Sequence, residues 1–160
     1  MGCARILLAD DHQAMLETVS RVLAVDFDIV GTVGDGEQAV QAVVSLDPDV
    51  VVLDISMPVM NGFEAASCLR QSGARAKVIF LTAQTNQDFV SAAFSAGALG
   101  YVLKTRLMTD LVPAVREVLE GRTFASPCLG TDETARLRSA VEVQDSEPEL
   151  VGRADGRSEL

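Results

Sequence analysis

Short apolar runs alternate along this chain with stretches whose apolar residues recur at helical spacing. Residues 5–9 (RILLA) form the first run, and residues 13–25 then place Leu16, Val19, Val22 and Leu23 on one helix face. Residues 27–33 read as a strand broken by Asp28 and Thr32, which suits a sheet edge. Asp35 and Gln38 form an N-cap pair for a helix carrying Ala39, Val40, Val43 and Val44, and Asp47-Pro48 breaks it. Residues 50–53 (VVVL) are a wholly apolar strand. Met57-Pro58 and Asn61-Gly62 mark a tight loop, and Phe63, Ala66 and Leu69 share a helix face that Gly73 ends. Residues 77–81 (KVIFL) predict a fourth strand. Thr85 and Asp88 suggest a capping box for a helix running to about Ala96, closed by Gly97. Residues 100–103 (GYVL) predict a fifth strand. A last helix is expected from about Thr109 to Gly121, with Leu111, Val112, Val115, Val118 and Leu119 as its buried stripe and Pro113 in its first turn.

Five strands alternating with five helices imply an α/β fold: a parallel sheet covered on both faces. Right-handed crossovers leave few topologies, of which the doubly wound, flavodoxin-like order 2-1-3-4-5 is the natural one. From Ser126 onward the periodicity fades, and eight acidic residues stand against four basic ones. We therefore expect a folded domain over residues 1–125 and an acidic, disordered tail over residues 126–160.

Composition narrows the function. Apolar residues make up 48% of the 160, enough for one full core, and Trp is absent, so aliphatic side chains must fill it. A net charge of -10 opposes phosphate backbones, so nucleic acid is not an expected partner. Cys3, Cys68 and Cys128 show no metal-binding or disulfide spacing. Neither a signal-peptide pattern nor a membrane-length apolar run is present, and a cytoplasmic protein is expected.

The chemistry sits where the strands end. The first strand ends in Asp10-Asp11, the third in Asp54, the fourth in Thr82 and the fifth in Lys104. Singly, each is an ordinary helix cap, turn former or surface charge. In a doubly wound sheet they converge on one patch. Crowded carboxylates raise one another's pKa, and a divalent cation such as Mg²⁺ relieves the repulsion. A hydroxyl and an ammonium opposite them suit phosphoryl oxygens, so the site is suited to phosphoryl transfer onto a carboxylate.

The segments LLADDH, VVLDISMPVMNG, VIFLTA and GYVLK, in this order and spacing, resemble the receiver domain of two-component response regulators over about residues 4 to 122. Their flavour is that of receivers carrying a LuxR-type helix-turn-helix output. The resemblance implies that Asp54 is the phosphoacceptor, that Asp11 binds Mg²⁺ directly with Asp10 acting through water, and that the Ser56 backbone carbonyl is a further ligand. It implies that Lys104 pairs with the phosphoryl group, that Thr82 hydrogen-bonds it, and that Thr82 and Tyr101 form the switch toward the fourth helix. The small Ala83 would leave the site open to the donor. Thr105 stands where many receivers have Pro. His12 reads as a partly exposed residue opening the first helix.

The implied function is that of a receiver phosphorylated by a sensor histidine kinase or a phosphotransfer protein. Its surface would then control a downstream protein target, a second copy of the chain being one candidate partner. It would be a signalling phosphoacceptor rather than an enzyme. Only 39 residues follow Gly121, with no basic stripe, so no helix-turn-helix output is expected. The alternatives are a phosphorylation-independent pseudo-receiver, a haloacid-dehalogenase-like phosphatase and a flavodoxin-like cofactor binder. The phosphatase would place its nucleophile in a DxD motif after the first strand. The cofactor binder would need a Ser/Thr/Gly-rich loop where this chain has ADDHQ.

Overall fold

The computed structural model of the chain describes residues 3–127. In chain order the elements are β1 (Arg5–Ala9), α1 (Gln13–Ala24), β2 (Asp28–Val33), α2 (Gly36–Leu46), β3 (Val50–Leu53) and α3 (Gly62–Gln71). They continue with β4 (Lys77–Thr82), α4 (Gln87–Ser95), β5 (Gly100–Leu103), a 3₁₀ turn (Lys104–Arg106), α5 (Leu107–Leu119) and β6 (Phe124–Ala125). The strands form one sheet of order β2-β1-β3-β4-β5-β6, parallel throughout. The doubly wound order is the expected one, and β2 lies at an edge.

Each strand alternates between two layers. Ile6 and Leu8 of β1, Val50 and Val52 of β3, and Ile79 and Leu81 of β4 join Leu16, Val19 and Leu23 of α1 and Leu111, Val115 and Val118 of α5 in one buried cluster. The intervening residues Leu7, Val51, Leu53 and Phe80 are as deeply buried in the opposite phase. This two-residue period carries the chemistry as well. Asp10 follows Ile6 and Leu8 in phase, Asp54 follows Val50 and Val52, and Lys104 follows Val102.

Several local expectations change. The sheet has six strands rather than five, because Phe124–Ala125 pairs with β5. The packed region also includes Ser126, which is fully buried, donates its N–H to the Tyr101 carbonyl at 3.0 Å, and accepts the Leu103 N–H on Oγ at 3.0 Å. A tail beginning at residue 126 is therefore corrected at its first residue: a small polar side chain can be buried when its partners are backbone groups distant in sequence. The remainder of that tail, residues 128–160, lies outside the described residues. The α4 cap is Asn86, whose side chain accepts from the Asp88 N–H at 2.7 Å, and not Thr85. Helix α5 starts at Leu107, so Pro113 stands inside the helix rather than in its first turn. Its ring is exposed, and the bond its nitrogen cannot make is lost on the solvent side. The Asn61–Glu64 pair closes a full capping box at the start of α3. Gln38 reaches back to the Gly34 N–H at 3.1 Å while Asp35 caps α2.

Candidate functional site

The register that pairs Ala9 with Leu53 brings Asp10 and Asp54 out of neighbouring strands side by side. Lys104 leaves β5, two strands away, and its long stem spans the gap. Its Nζ lies 2.9 Å from Oδ2 of Asp10 and 2.9 Å from Oδ2 of Asp54. Both carboxylates are buried, and the lysine side chain is 16% exposed, so this shared ion pair is shielded from water. Burial pushes the Asp54 carboxyl above its ordinary range, with the Asp10 charge adding to it, and the Lys104 contacts only partly offset this. For Lys104, burial lowers the pKa, but its hydrogen bonds to Asp10 and Asp54 outweigh that and the net direction is up.

Asp11 and His12 form the outer rim. The His12 N–H donates to Asp10 Oδ1 at 2.9 Å, and the ring Nδ1 stands 3.2 Å from that oxygen and 3.0 Å from Asp11 Oδ1. One potential ligand atom from each of Asp10, Asp11, His12 and Asp54 falls within 4.8 Å of the others. Three carboxylates with one bound ammonium leave an excess of negative charge. A hard divalent cation fits the carboxylate oxygens of Asp10, Asp11 and Asp54, and these residues would hold it. Ser56 is exposed in the loop two residues beyond Asp54. Gly62 seals that loop: its N–H donates to the Ile55 carbonyl at 2.8 Å, and a Cβ there would meet the Asp54 carbonyl.

This geometry belongs to a known family. The family model for the response regulator receiver domain matches residues 6–116. The chain belongs to the response regulator receiver family. It is similar to the transcriptional regulatory protein DegU of Brevibacillus brevis, 34% identical over 150 residues, which cover 92% of this chain and 64% of that protein. It is 33% identical over 138 residues to the nitrate/nitrite response regulator NarL of Escherichia coli K12, covering 85% of this chain and 64% of that protein. The chain thus spans just under two thirds of the length of these relatives. A solved two-component response regulator of the LuxR family from Aurantimonas superposes with a TM-score of 0.78 at 33% identity, covering 86% of this chain and 99% of the other. Membership removes the basis for the phosphatase and cofactor-binding alternatives.

On the far side of the site, Thr82 is buried, and its Oγ1 accepts the Gln84 N–H at 3.2 Å. Tyr101 is fully buried, and its hydroxyl donates to the Gln84 carbonyl at 2.7 Å. Burial pushes its pKa up to about 12. Gln84 therefore joins the two residues expected to act as a switch, although its type carried no signal, since both bonds use its backbone. Ala83 is exposed at the rim. Thr105, in place of the common Pro, sits in the 3₁₀ turn. Sequence reasoning also missed a second buried polar group beside the receiver site. Asp110 accepts from Arg106 Nε at 2.8 Å and from Thr109 at 3.1 Å. Burial raises the Asp110 pKa, but its bonds to Arg106, Ser126 and Thr109 hold it below the usual carboxylate range. An acidic residue four places after an Arg on a helix was the available clue.

No helix among the described residues is long and apolar enough to cross a membrane.

Proposed function

We propose that the receiver accepts a phosphoryl group on Asp54 from a sensor histidine kinase or a phosphotransfer protein, and that the modified surface then controls a protein partner. The observation that carries this reading is the convergence of Asp10, Asp54 and Lys104 from three strands, with one ammonium 2.9 Å from both buried carboxylates. Asp54 is the nucleophile, and its oxygen forms the new bond to phosphorus as the donor's leaving group departs. A bound Mg²⁺ supplies charge neutralisation for the incoming phosphoryl oxygens. Asp11 holds that cation directly, Asp10 acts through water, and the Asp54 carboxylate and the Ser56 carbonyl complete the protein's share. Lys104 is positioned to pair with the phosphoryl group, exchanging carboxylate partners for phosphoryl oxygens without crossing bulk water. Ala83 leaves the rim open to the donor. Assistance of its own phosphorylation and a slow autodephosphorylation at this site are the enzyme-like steps assigned to it.

Thr82 presents its hydroxyl proton to a phosphoryl oxygen. Because its Oγ1 now accepts from Gln84, and Tyr101 holds the other side of the same residue, a shift of Thr82 pulls on the start of the loop that leads into α4. This is a two-state element that a ligand at Asp54 biases. The partner is proposed to be a protein, a second copy of the chain included, and not nucleic acid, since a charge of -10 opposes phosphate contacts. The setting is proposed to be the cytoplasm, where histidine kinases present their phosphoryl groups.

The test is incubation with acetyl phosphate followed by intact-mass measurement. One phosphoryl adduct is expected, dependent on Mg²⁺ and absent from Asp54→Asn. An adduct of equal yield in EDTA, or in that variant, defeats the assignment. Thr82→Ala is expected to accept phosphate yet lose the beryllofluoride-induced amide shifts seen in wild type between residues 86 and 105. A wild-type spectrum without shifts there removes the switch.

A further inference from the structure

We propose that Ser126 and Asp110 are positioning residues for Lys104, so that the phosphoryl chemistry depends on Ser126, which lies beyond residues 6–116, the segment that matches the family model. The inference rests on the reading of Asp54 as phosphoacceptor and of Lys104 as the partner of the phosphoryl group, and adds what aims that lysine.

The strand ladder stops short of the lysine. β6 pairs with β5 through Phe124 and Ala125, opposite Gly100 and Tyr101, and the Ser126 N–H makes the last ladder bond, to the Tyr101 carbonyl at 3.0 Å. The next β5 donor on this edge is the Leu103 N–H, one residue before Lys104. The Ser126 side chain reaches it: Oγ accepts that N–H at 3.0 Å, in place of a further strand residue. The same hydroxyl donates its proton to the Asp110 carboxylate on α5. Asp110 also accepts from Arg106 Nε at 2.8 Å, and Arg106 closes the 3₁₀ turn that Lys104 opens. One buried serine therefore joins the residue before Lys104 to the helix after it. Ser126 has no exposed surface and Asp110 is 5% exposed, so bulk water does not stand in for a lost partner. Alanine at 126 leaves the Leu103 N–H without its partner and the carboxylate one hydrogen bond short, both in the interior. These groups relax by moving, and the backbone they move is the base of the lysine stem, whose Nζ stands 2.9 Å from Asp10 and from Asp54.

A purely structural latch has a different signature. Its loss lowers the stability of the domain and leaves the rate of a folded molecule alone. Loss of a positioning contact slows the reaction in folded molecules, since displacing a reacting group by about 1 Å costs up to about a hundredfold.

The experiment uses the full chain, acetyl phosphate and saturating Mg²⁺, at one temperature where circular dichroism shows the proteins folded. Wild type is compared with Ser126→Ala, with Asp110→Asn and with Val43→Ala. Val43 is a buried residue of α2, which packs on β1, β2 and α3, so its truncation destabilises without touching the Lys104 turn. The phosphorylation rate is expected to fall about tenfold or more in Ser126→Ala, to fall less far in the isosteric Asp110→Asn, and to hold in Val43→Ala. The second readout is the lysine ε-CH₂ NMR spectrum. The chain has two lysines, Lys77 and Lys104, so the signals are readily assigned. The Lys104 signal is expected to move in Ser126→Ala while that of Lys77 stays. A wild-type rate in Ser126→Ala, or in Asp110→Asn should the first variant not fold, overturns the proposal. An equal loss of rate in Val43→Ala, or an unmoved Lys104 signal, overturns it too. A wild type that takes up no phosphoryl group overturns the phosphoacceptor reading instead, and the Lys104 signal then decides the positioning by itself.

Discussion

Gly62 is where the helix architecture bears directly on β3, the strand that ends in the proposed phosphoacceptor Asp54, and replacing it by Ala tests how tightly the two are joined. A Cβ at this position would lie 2.3 Å from the Asp54 carbonyl oxygen, 2.9 Å from Ile55 Cα and 2.9 Å from Phe80 Cε1. Two of these neighbours are backbone atoms at the exit of β3, and Phe80 is fully buried, so no flexible side chain can yield. One effect favours the substitution. Ala restricts the unfolded chain more than Gly does, which is worth about 0.4–1 kcal/mol and also underlies its better helix propensity. Against it stands overpacking, which costs about 1–3 kcal/mol in ordinary cores and more where backbone must move. With the contact far inside van der Waals distance, the clash wins, and Gly62→Ala is expected to lose about 2 kcal/mol net. Gly34→Ala is the internal control. Nothing lies within 4 Å of its built Cβ and its φ is not positive, so a gain of about 0.4–1 kcal/mol is expected. The chain has no Trp and one Tyr, so urea unfolding is best followed by far-UV circular dichroism. Opposite signs for the two variants are the expected result. A Gly62→Ala protein as stable as wild type refutes the claim that α3 is packed against the Asp54 carbonyl. The same displacement is expected to slow phosphorylation by acetyl phosphate at temperatures where the variant is still folded.

Val59, at φ 69 and 75% exposed, is a β-branched residue in the left-handed region with little packing to lose, so Val59→Asn is expected to stabilise by about 1 kcal/mol in urea unfolding; no gain means that the strain is not there. Asp54→Asn is expected to raise metal-free stability at pH 7 by about 1 kcal/mol. The sign follows from linkage: the folded pKa of Asp54 is raised, so wild type loses stability as pH climbs from 3.8 through the raised value, and the variant's advantage shrinks as pH is lowered through that window. An advantage that grows toward acid contradicts the direction of the shift. Asp11→Ala is expected to weaken Mg²⁺ binding more than Asp10→Ala, because Asp10 is already engaged by Lys104 and is assigned a water-mediated role; titration giving the reverse order overturns the ligand assignment.

What was legible in the sequence depended on how local the signal was. The bounds of β1, β3 and β5 were readable because runs such as VVVL are apolar on both faces and stop abruptly at Asp or Lys. The meeting of Asp10, Asp54 and Lys104 was readable because a strand's end and a two-residue period together say where a side chain goes. The cap of α4 was misread because Thr85, Asn86 and Asp88 all offer capping oxygens, and only the backbone turn chooses among them. The sixth strand was missed because two residues carry no periodicity. Ser126 was misplaced for a deeper reason: nothing in an acidic, Gly- and Ser-rich stretch announces that its first serine is paired with the backbone of Leu103.

Those long-range polar contacts also explain how Lys104 is held. The lysine opens the turn between β5 and α5, and connections of this kind are ordinarily the loosest part of a fold. Here both flanks are tied down. Before it, the Leu103 N–H bonds to Ser126 Oγ, and the Ser126 N–H bonds to the Tyr101 carbonyl. After it, Arg106 grips Asp110 one helical turn later, and the Asp110 carboxylate also receives the Ser126 hydroxyl. The ammonium thus projects from a segment anchored by a buried hydrogen-bonded group, rather than relying on its own ion pairs for position. That bears on the phosphoryl transfer proposed above, because catalysis of this kind is mostly positioning and electrostatics. A lysine held only by Asp10 and Asp54 would have to be re-oriented when one of those partners becomes an acyl phosphate. A lysine held through its backbone keeps its aim while its partner changes.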